Sequence, residues 1–270
     1  MTIHATAIVS PQAKLHPSVE VGPYTFIGPN VVIGENTKIA PNCYIEGHTT
    51  LGSDNQLSPF VAIGCPPQDL KYSGQKTFVR IGSGNIFREY TTVHLAEGEG
   101  NETIVGDNNL LMAHTHIAHN CRVGSSVTMA NCATLAGHVS VGDKAVLGGF
   151  VGIHQFCKVG NMVMIGGMTK ITKDVPPYIK IDGNPARVIG LNIIGLKRNG
   201  VPRESLEHIR SLFKLFFRSH MNVSQVMEKR LSLPEADDPY VKGFFDFVQG
   251  SKRGVYRRTR QSTPAERGEE

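Results

Sequence analysis

The sequence has no apolar run approaching the ~18 residues that carry a helix across a bilayer. Its first residues, MTIHATAIVSPQAK, lack the charged-then-apolar order of a secretion signal. No integral membrane segment is expected, and the chain reads as cytoplasmic. Cysteine is sparse. The five (Cys43, Cys65, Cys121, Cys132 and Cys157) are odd in number and form no CxxC pair, which excludes a disulfide framework and a zinc ribbon. There is no G-x-S-x-G elbow, no G-x-x-x-x-G-K-[ST] loop and no H-E-x-x-H helix, so serine hydrolase, P-loop and zincin chemistries find no support. Nucleic-acid binding lacks both a motif and aromatic residues interleaved with basic ones. Net charge is missing from most of the chain. Residues 1–190 carry 13 Lys+Arg against 13 Asp+Glu, and the whole excess of +5 lies in residues 191–270, with 15 against 10.

What is present is a period. Counting every sixth residue from Ile3 to Ile171 gives 29 positions, of which 26 are Ile, Val, Leu, Met or Phe; the exceptions are Asp69, Gln75 and Glu99. Glycine often follows the frame residue (Gly22, Gly34, Gly106, Gly124), where a corner is expected to need permissive backbone angles. Small or β-branched residues sit two positions before it, and Cys43, Cys121 and Cys157 fall there as small core residues. Short strands separated by tight turns, each burying one aliphatic side chain, are the hexapeptide signature of a parallel β-helix.

The frame fails at about 65–80 and 94–103, where two inserted loops are expected, and loops on a rigid solenoid tend to build sites. Residues 1–190 are thus assigned to the β-helix, with IDGNPARVIG as an extended linker near its end. Residues 191–250 change to a helical period and are expected to form a small α-helical domain. Its helices run from about Arg203 to His220, Val223 to Leu231 and Asp238 to Val248, with Leu206, Ile209, Leu212, Phe213, Phe216 and Phe217 on one face of the first. Residues 251–270 read as a charged, flexible tail.

Six of the eleven histidines lie between His94 and His154. If positions i and i+18 stack, one coil to the next, then His119, Gly137 and Gln155 occupy successive rungs, with His138 and His154 beside them. Such an edge suits acid-base chemistry or a metal. The gamma-class carbonic anhydrases share this solenoid and bind zinc through three histidines. His114 and His119 have the short spacing of that pattern, but the position two turns before His114 is Phe78. No metal and no cofactor are expected.

Several long segments carry a closer likeness: QDLKY (Gln68 to Tyr72), NNLLMAHTHIAHNC (Asn108 to Cys121), LAGHVSV (Leu135 to Val141), IHQFC (Ile153 to Cys157), DVPPY (Asp174 to Tyr178) and GLKR (Gly195 to Arg198). Through them the chain, up to about Tyr256, resembles the UDP-N-acetylglucosamine O-acyltransferases of lipid A biosynthesis, within the hexapeptide-repeat acyltransferases. The resemblance implies a left-handed coil of three hexapeptides per turn, and a homotrimer with sites between subunits. It implies transfer of a (3-hydroxy)acyl chain from acyl carrier protein to the 3-position of a UDP-sugar. His119 matches the general base and the Gly137 N–H the oxyanion donor. Asp69, Lys71, His116 and His138 match sugar-contacting positions, and Gln155, Asn192 and Arg198 match positions near the uridine diphosphate. His94 and His154 are counted with this substrate-binding group. Gly167, with neighbouring Met168, matches the position that limits acyl-chain length and leaves room for a long chain.

Two positions depart from the family pattern. Asn120 stands where an acidic residue often orients the base; its amide can accept the Nδ1 hydrogen bond but stabilises the imidazolium less. Pro185 replaces a histidine in the GN-H segment, and no role is carried over there. Acyl carrier proteins are acidic, so Arg210, Lys214 and Arg218 in the basic C-terminal region are the expected docking residues. Three rivals remain: an N-acyltransferase on a 3-amino UDP-sugar, a zinc protein of the carbonic anhydrase kind, and a scaffold without catalysis.

Overall fold

The computed structural model describes residues 2–257. Two extended residues followed by a turn recur at every sixth position. In each pair the frame residue points inward and its neighbour outward, as in Tyr44 (exposed) and Ile45 (buried). Each pair lies parallel to, and in register with, the pair three repeats on: Thr2 beside Glu20, His116 beside Thr134, Gly152 beside Lys170. Three hexapeptides therefore close one coil. Among the described residues the coils stack into three sheets: face A, from Thr2–Ile3, with 11 strands; face B, from Ile8–Val9, with nine; and face C, from Lys14–Leu15, with eight. This is the left-handed parallel β-helix implied by the repeat and the resemblance.

The frame residues form the core. Ile27, Ile45, Ile63, Val93, Ile117 and Leu135 make one fully buried column behind face B. Each such side chain contributes about 1.5–3 kcal/mol by leaving water. Cys43, Cys121 and Cys157 are buried beside the frame, as expected. Burial raises all three thiols, Cys121 to about 12, so they pack as small apolar groups. Asn55, Asn85 and Asn109 form a buried polar ladder where face C turns into face A. The Asn109 amide donates to Asn85 Oδ1 (2.9 Å), the Asn85 amide donates to Asn55 Oδ1 (3.0 Å), and Asn109 Oδ1 accepts from the Val127 N–H. Every rung is satisfied, which is what allows amides inside the prism.

Both inserted loops are whole multiples of the period. Ile63 pairs with Val93, five repeats on, and Val79 pairs with Thr103, four repeats on. The loops after Cys65 and after His94 thus add two hexapeptides and one hexapeptide to the usual three. The frame keeps its phase, and Asp69, Gln75 and Glu99 fall on its count only because they lie out on the loops.

The corner glycines do a different job from the one expected. The left-handed backbone angle falls on the third residue after the frame position, which is Asn36, Asn42, Tyr90, His114, Asn120, His138, Phe150 or Phe156 in different coils. Of the glycines directly after an aliphatic frame residue, Gly64 alone has positive φ (82°). They are needed because successive coils touch there: a Cβ on Gly34 would lie 2.7 Å from the Gly52 carbonyl carbon, and one on Gly106 would lie 2.7 Å from the Gly124 oxygen. Steric approach, not φ, selects glycine.

The stretch expected to be a linker is a hairpin. Ile179–Asp182 pairs in parallel with Met164–Ile165 and antiparallel with Arg187–Leu191, which extends face A. Ile179 and Ile181 are both fully buried, a two-residue alternation that drives strand rather than coil. Helix α1 (Ile193–Arg198) follows, then α2 (Arg203–Phe213), continued as a π turn through Arg218, then α3 (Val223–Lys229) and α4 (Pro239–Gln249). Leu206, Ile209, Leu212, Phe216 and Phe217 pack with Val241, Phe244 and Phe245, continuing the core of the β-helix into the helical end. The tail begins later than expected. Ser251 donates to the buried Asp174 carboxylate (2.6 Å), Tyr256 Oη lies 3.2 Å from Thr172 Oγ1, and Arg257 donates to the Phe216 and Met221 carbonyls. Residues 251–257 are therefore tied to the body, and the rest of the expected tail lies outside the described residues.

Candidate functional site

The corner between faces B and C carries the expected column. The His138 N–H donates to the His119 carbonyl (3.0 Å), and the Phe156 N–H donates to the Gly137 carbonyl (3.1 Å), so His119, Gly137 and Gln155 occupy successive rungs. The His119 side chain is 13% exposed and lies over Gly137. A Cβ on residue 137 would overlap ring atoms Cε1 and Nε2 of His119. Glycine is what allows the ring to rest against the next rung. Among the described residues the Gly137 N–H donates to no protein group.

Asn120 settles the ring's tautomer. Its Oδ1 accepts from the Glu97 N–H (2.9 Å), its Nδ2 donates to the Glu97 carbonyl (3.0 Å), and its N–H donates to Thr103 Oγ1 (2.9 Å). The backbone of the second loop thus fixes which end of the amide is oxygen. His119 Nδ1 lies 2.9 Å from that same Oδ1, so Nδ1 must carry the hydrogen. In the neutral ring the lone pair is then on Nε2, the nitrogen nearer Asp69. An orienting partner survives the change from acid to amide, held by loop backbone that no side-chain pattern reveals.

The first loop closes the other side of the cleft. Asp69 Oδ2 stands 3.8 Å from His119 Nε2, and Asp69 Oδ1 accepts from the Lys71 N–H (2.9 Å). Three further imidazoles lie around His119. His138 stands edge-on to His119 with ring centres 5.2 Å apart, and is backed by Phe156 at 4.6 Å. His116 lies 2.7 Å from Thr92 Oγ1 through Nδ1 and edge-on to buried His94 at 4.9 Å. Burial pushes His94 down to about 4 and lowers His116 and His138, so these rings favour the neutral form around His119. Phe156 gave no sequence signal beyond its place in IHQFC.

Other expected residues sit apart from this cluster. His154 is exposed, with Nδ1 3.2 Å from the Gln155 carbonyl. Asn192 is buried and its amide is occupied: Oδ1 caps α1 at the Gly195 N–H (3.1 Å) and Nδ2 donates to the Met162 carbonyl (2.9 Å). Arg198 ends the helix that Asn192 caps, and is exposed. Gly167 and Met168 lie on the corner between faces A and B, one face away from His119, where a Cβ on Gly167 would approach Gly149 O at 3.3 Å. Within one chain they do not meet His119. Along that same corner Tyr24, Phe60, Tyr90, Phe150 and Met168 form an exposed apolar ridge, Met168 at 76%.

Among the described residues, no group of three or more His, Cys, Asp or Glu side chains could hold a metal ion, and no helix is long and apolar enough to cross a membrane. A cavity of about 680 Å³ opens on face A beside Lys38, Gln56 and Arg88, and includes none of the residues above.

An imidazole with a fixed neutral tautomer, lying over a rung whose amide has no protein acceptor among the described residues, is equipped to move a proton while a carbonyl carbon becomes tetrahedral. Comparison with known proteins identifies the family. Residues 174–256 match the family model described as "Udp N-acetylglucosamine O-acyltransferase; Domain 2", and residues 30–65 and 102–137 match the bacterial transferase hexapeptide model. The acyl-[acyl-carrier-protein]--UDP-N-acetylglucosamine O-acyltransferase of Synechocystis is 45% identical over 213 residues, 79% of this chain and 76% of that one. The protein of the same name from Verminephrobacter eiseniae is 48% identical over 235 residues, 87% of this chain and 90% of its own. The crystal structure of the UDP-N-acetylglucosamine acyltransferase of Francisella novicida superposes with a TM-score of 0.93 at 35% identity, covering 96% of this chain and 95% of that one. With the coil, the inserted loops and the helical end all matched at this level, the chain belongs to the UDP-N-acetylglucosamine O-acyltransferase family.

Proposed function

We propose that His119 and the Gly137 N–H carry out acyl transfer from acyl carrier protein to the 3-hydroxyl of UDP-N-acetylglucosamine, the first step of lipid A biosynthesis, in the cytoplasm. The observation that carries the reading is the clamp on Asn120, which puts the hydrogen of the neutral His119 ring on Nδ1 and the lone pair on Nε2, with the ring lying over Gly137. The gap between Nε2 and Asp69 is 3.8 Å, so a sugar hydroxyl at its rim comes within reach of both groups. Nε2 takes the hydroxyl proton as the oxygen attacks the thioester carbonyl. The tetrahedral oxyanion forms against the Gly137 N–H. Collapse breaks the C–S bond, and the imidazolium returns its proton to the leaving thiolate.

Asp69, Lys71, His116 and His138 hold the sugar in this reading, while Gln155, Arg198 and the helix capped by Asn192 hold the diphosphate. A planar guanidinium suits that charge. The acyl chain needs an apolar trough near His119, and the corner bearing Gly149, Gly167 and Met168 lies one face away. A second copy laid edge to edge supplies it and covers the exposed ridge at Phe150 and Met168. This supports a homotrimer with sites between subunits. The acidic carrier docks on the basic C-terminal region. There Arg210 is ion-paired to Glu207 and Arg218 lies over the Phe213 ring, which leaves Lys214 as the more available charge.

The test is a radiometric assay with acyl carrier proteins of graded chain length and either UDP-N-acetylglucosamine or its 3-amino analogue. Transfer to the 3-hydroxyl sugar from a long 3-hydroxyacyl donor is expected. Transfer only to the 3-amino sugar would overturn the O-acyltransferase assignment. Light scattering of the purified protein checks the trimer, and Phe150→Glu with Met168→Glu is expected to dissociate it.

A further inference from the structure

Three residues break the six-residue frame, Asp69, Gln75 and Glu99, and the reaction proposed above uses only the first. The other two belong to one network of hydrogen bonds. In the first loop a turn sets Asp69: the Lys71 N–H donates to its carboxylate (2.9 Å) and the Tyr72 N–H to its carbonyl (3.1 Å). Gln75 braces that turn from behind, accepting from the Ser73 N–H (3.0 Å) and donating to the Lys71 carbonyl (3.4 Å). The brace fixes the loop's internal shape, and its position over the cleft is fixed elsewhere.

That position is set at one residue. Among the described residues, hydrogen bonds join residues 66–76 to the rest of the chain only at Lys76, and both come from the second loop. The Lys76 N–H donates to the Glu99 carboxylate (3.0 Å), and the Lys76 carbonyl accepts from the Gly100 N–H (2.9 Å). The second loop thus holds Lys76 as Asn120 holds Glu97, by N–H and C=O at once. Only Gly98 separates Glu97 from Glu99, and the turn around it is closed. The Asn101 N–H donates to the Gly98 carbonyl (3.0 Å), and the Asn101 side-chain amide donates to the Glu97 carbonyl (2.8 Å). One short turn therefore grips the loop of Asp69 on one side and the tautomer clamp of His119 on the other.

Stability does not require a carboxylate there. Glu99 and Lys76 are exposed, so water can take the Lys76 N–H without the full desolvation penalty. Water does not fix a distance. Asp69 stands 3.8 Å from His119 Nε2, and a hydroxyl attacking between them has to meet both groups. A misplacement of about 1 Å in such a geometry can lower the rate by about 10²-fold. We propose that Glu99 is a positioning residue for acyl transfer, registering the loop that carries Asp69 and Lys71 against the loop that orients His119. The proposal rests on the reading of His119 as the base and Asp69 as a sugar contact.

The experiment measures kcat and the KM for each substrate, carrier-linked donor and UDP-N-acetylglucosamine, in Glu99→Ala, Glu99→Gln, Asp69→Ala and the double variant Asp69→Ala, Glu99→Ala, each beside its melting temperature. Glu99→Ala is expected to lower kcat/KM for the UDP-sugar about tenfold, the size of one charge-assisted hydrogen bond, with the donor KM and the melting temperature unchanged. Glu99→Gln keeps an acceptor oxygen at the same reach and is expected to stay within about twofold of wild type. In the Asp69→Ala background the contact being positioned is gone, and Glu99→Ala is expected to lower kcat/KM by no more than about threefold. Losses of equal size with and without Asp69, or an unchanged kcat/KM in Glu99→Ala, would overturn the proposal. So would a Glu99→Gln variant as impaired as Glu99→Ala, which assigns the effect to charge and not to the bond. A loss that follows a lowered melting temperature, or one that falls on the donor KM, would overturn it by making Glu99 a structural residue or a carrier contact. Absence of transfer by the wild type, or full activity of His119→Ala, would remove the acyltransferase reading itself, and neither result depends on Glu99.

Discussion

Two corners of the prism share one backbone and spend it differently. At the corner between faces C and A, the amide two positions past the frame residue is closed in five successive coils by a side chain of the next, beginning with Ser53 N–H to Ser83 Oγ (3.0 Å). Ser83 N–H donates to Asp107 Oδ1 (2.6 Å), Asp107 N–H to Ser125 Oγ, Ser125 N–H to Asp143 Oδ1 (2.8 Å) and Asp143 N–H to Asn161 Oδ1. At the corner between faces B and C the same positions hold His119, Gly137, Gln155 and Lys173, and the Gly137 amide is left open. One edge uses its corner donors to lock coil to coil. The other leaves the amides of His119, Gly137, Gln155 and Lys173 without a protein acceptor among the described residues. On the proposed reading, a solenoid needs no special loop to make an oxyanion site; it needs an uncapped corner at which one rung lacks a side chain and its neighbour carries an imidazole.

The sharpest way to break the comparison is to remove the base. His119→Ala is expected to lower kcat by about 10³ to 10⁴-fold, in the range typical of a positioned proton acceptor. Its melting temperature is expected to stay close to wild type, because the ring lies at the rim and not in the aliphatic column. A steady-state assay on the carrier-linked donor checks it; retention of more than about a tenth of the wild-type kcat would leave the open amide without its partner.

Gly137→Ala comes next. The added methyl leaves the N–H in place but occupies the position of the His119 ring, so the base must swing away. A loss of about 10²-fold or more in kcat is expected, comparable to removal of one oxyanion donor, with little change in KM for either substrate. A change in KM alone would mean that the amide contributes to binding and not to the chemical step.

These two residues also mark how far the sequence could be read. The period exposes every inward position, and the three-repeat step brings His119 and Gly137 together from spacing alone. The step did not show that Gly167 and Met168, matched by resemblance to the acyl-length position, stand one face away from His119 in this chain. Nor could it find the partners of Asn120, because they are the N–H and carbonyl of Glu97 on an inserted loop. The corner glycines misled for a related reason. A glycine looks the same in sequence whether it serves φ or close approach, and here the neighbouring coil decides.

The open edge also brings a pH liability with it. His94, beside His116, is buried and pushed down to about 4 from an ordinary 6.5. Between those values the unfolded chain binds a proton that the folded chain refuses. Stability is therefore complete above pH 6.5 and falls as pH drops toward 4, by up to about 3 kcal/mol for this one group. Urea unfolding at about pH 7.5 and about pH 5 is expected to separate the wild type from His94→Gln, which lacks this part of the slope. Identical slopes would place the acid sensitivity elsewhere.

The smallest effect belongs to the capped edge. Asp143→Ala removes the acceptor for the Ser125 N–H, while the Asp143 N–H keeps its own bond to Asn161. Asp143 is exposed, so water can reach the orphaned amide and the full desolvation penalty does not apply. A loss of about 1 kcal/mol in stability is expected, similar to an N-cap deletion, with kcat within error of wild type. The rung it weakens joins the coil of Ser125 to that of Asp143, the same two coils that carry His119 and Gly137 on the opposite corner. Chemical denaturation and a kcat measured on one preparation would test whether the two edges are independent. A stability loss accompanied by a fall in kcat would mean that the capped edge fixes the spacing between the base and the open amide, and the division between a structural and a chemical edge would then be one of degree.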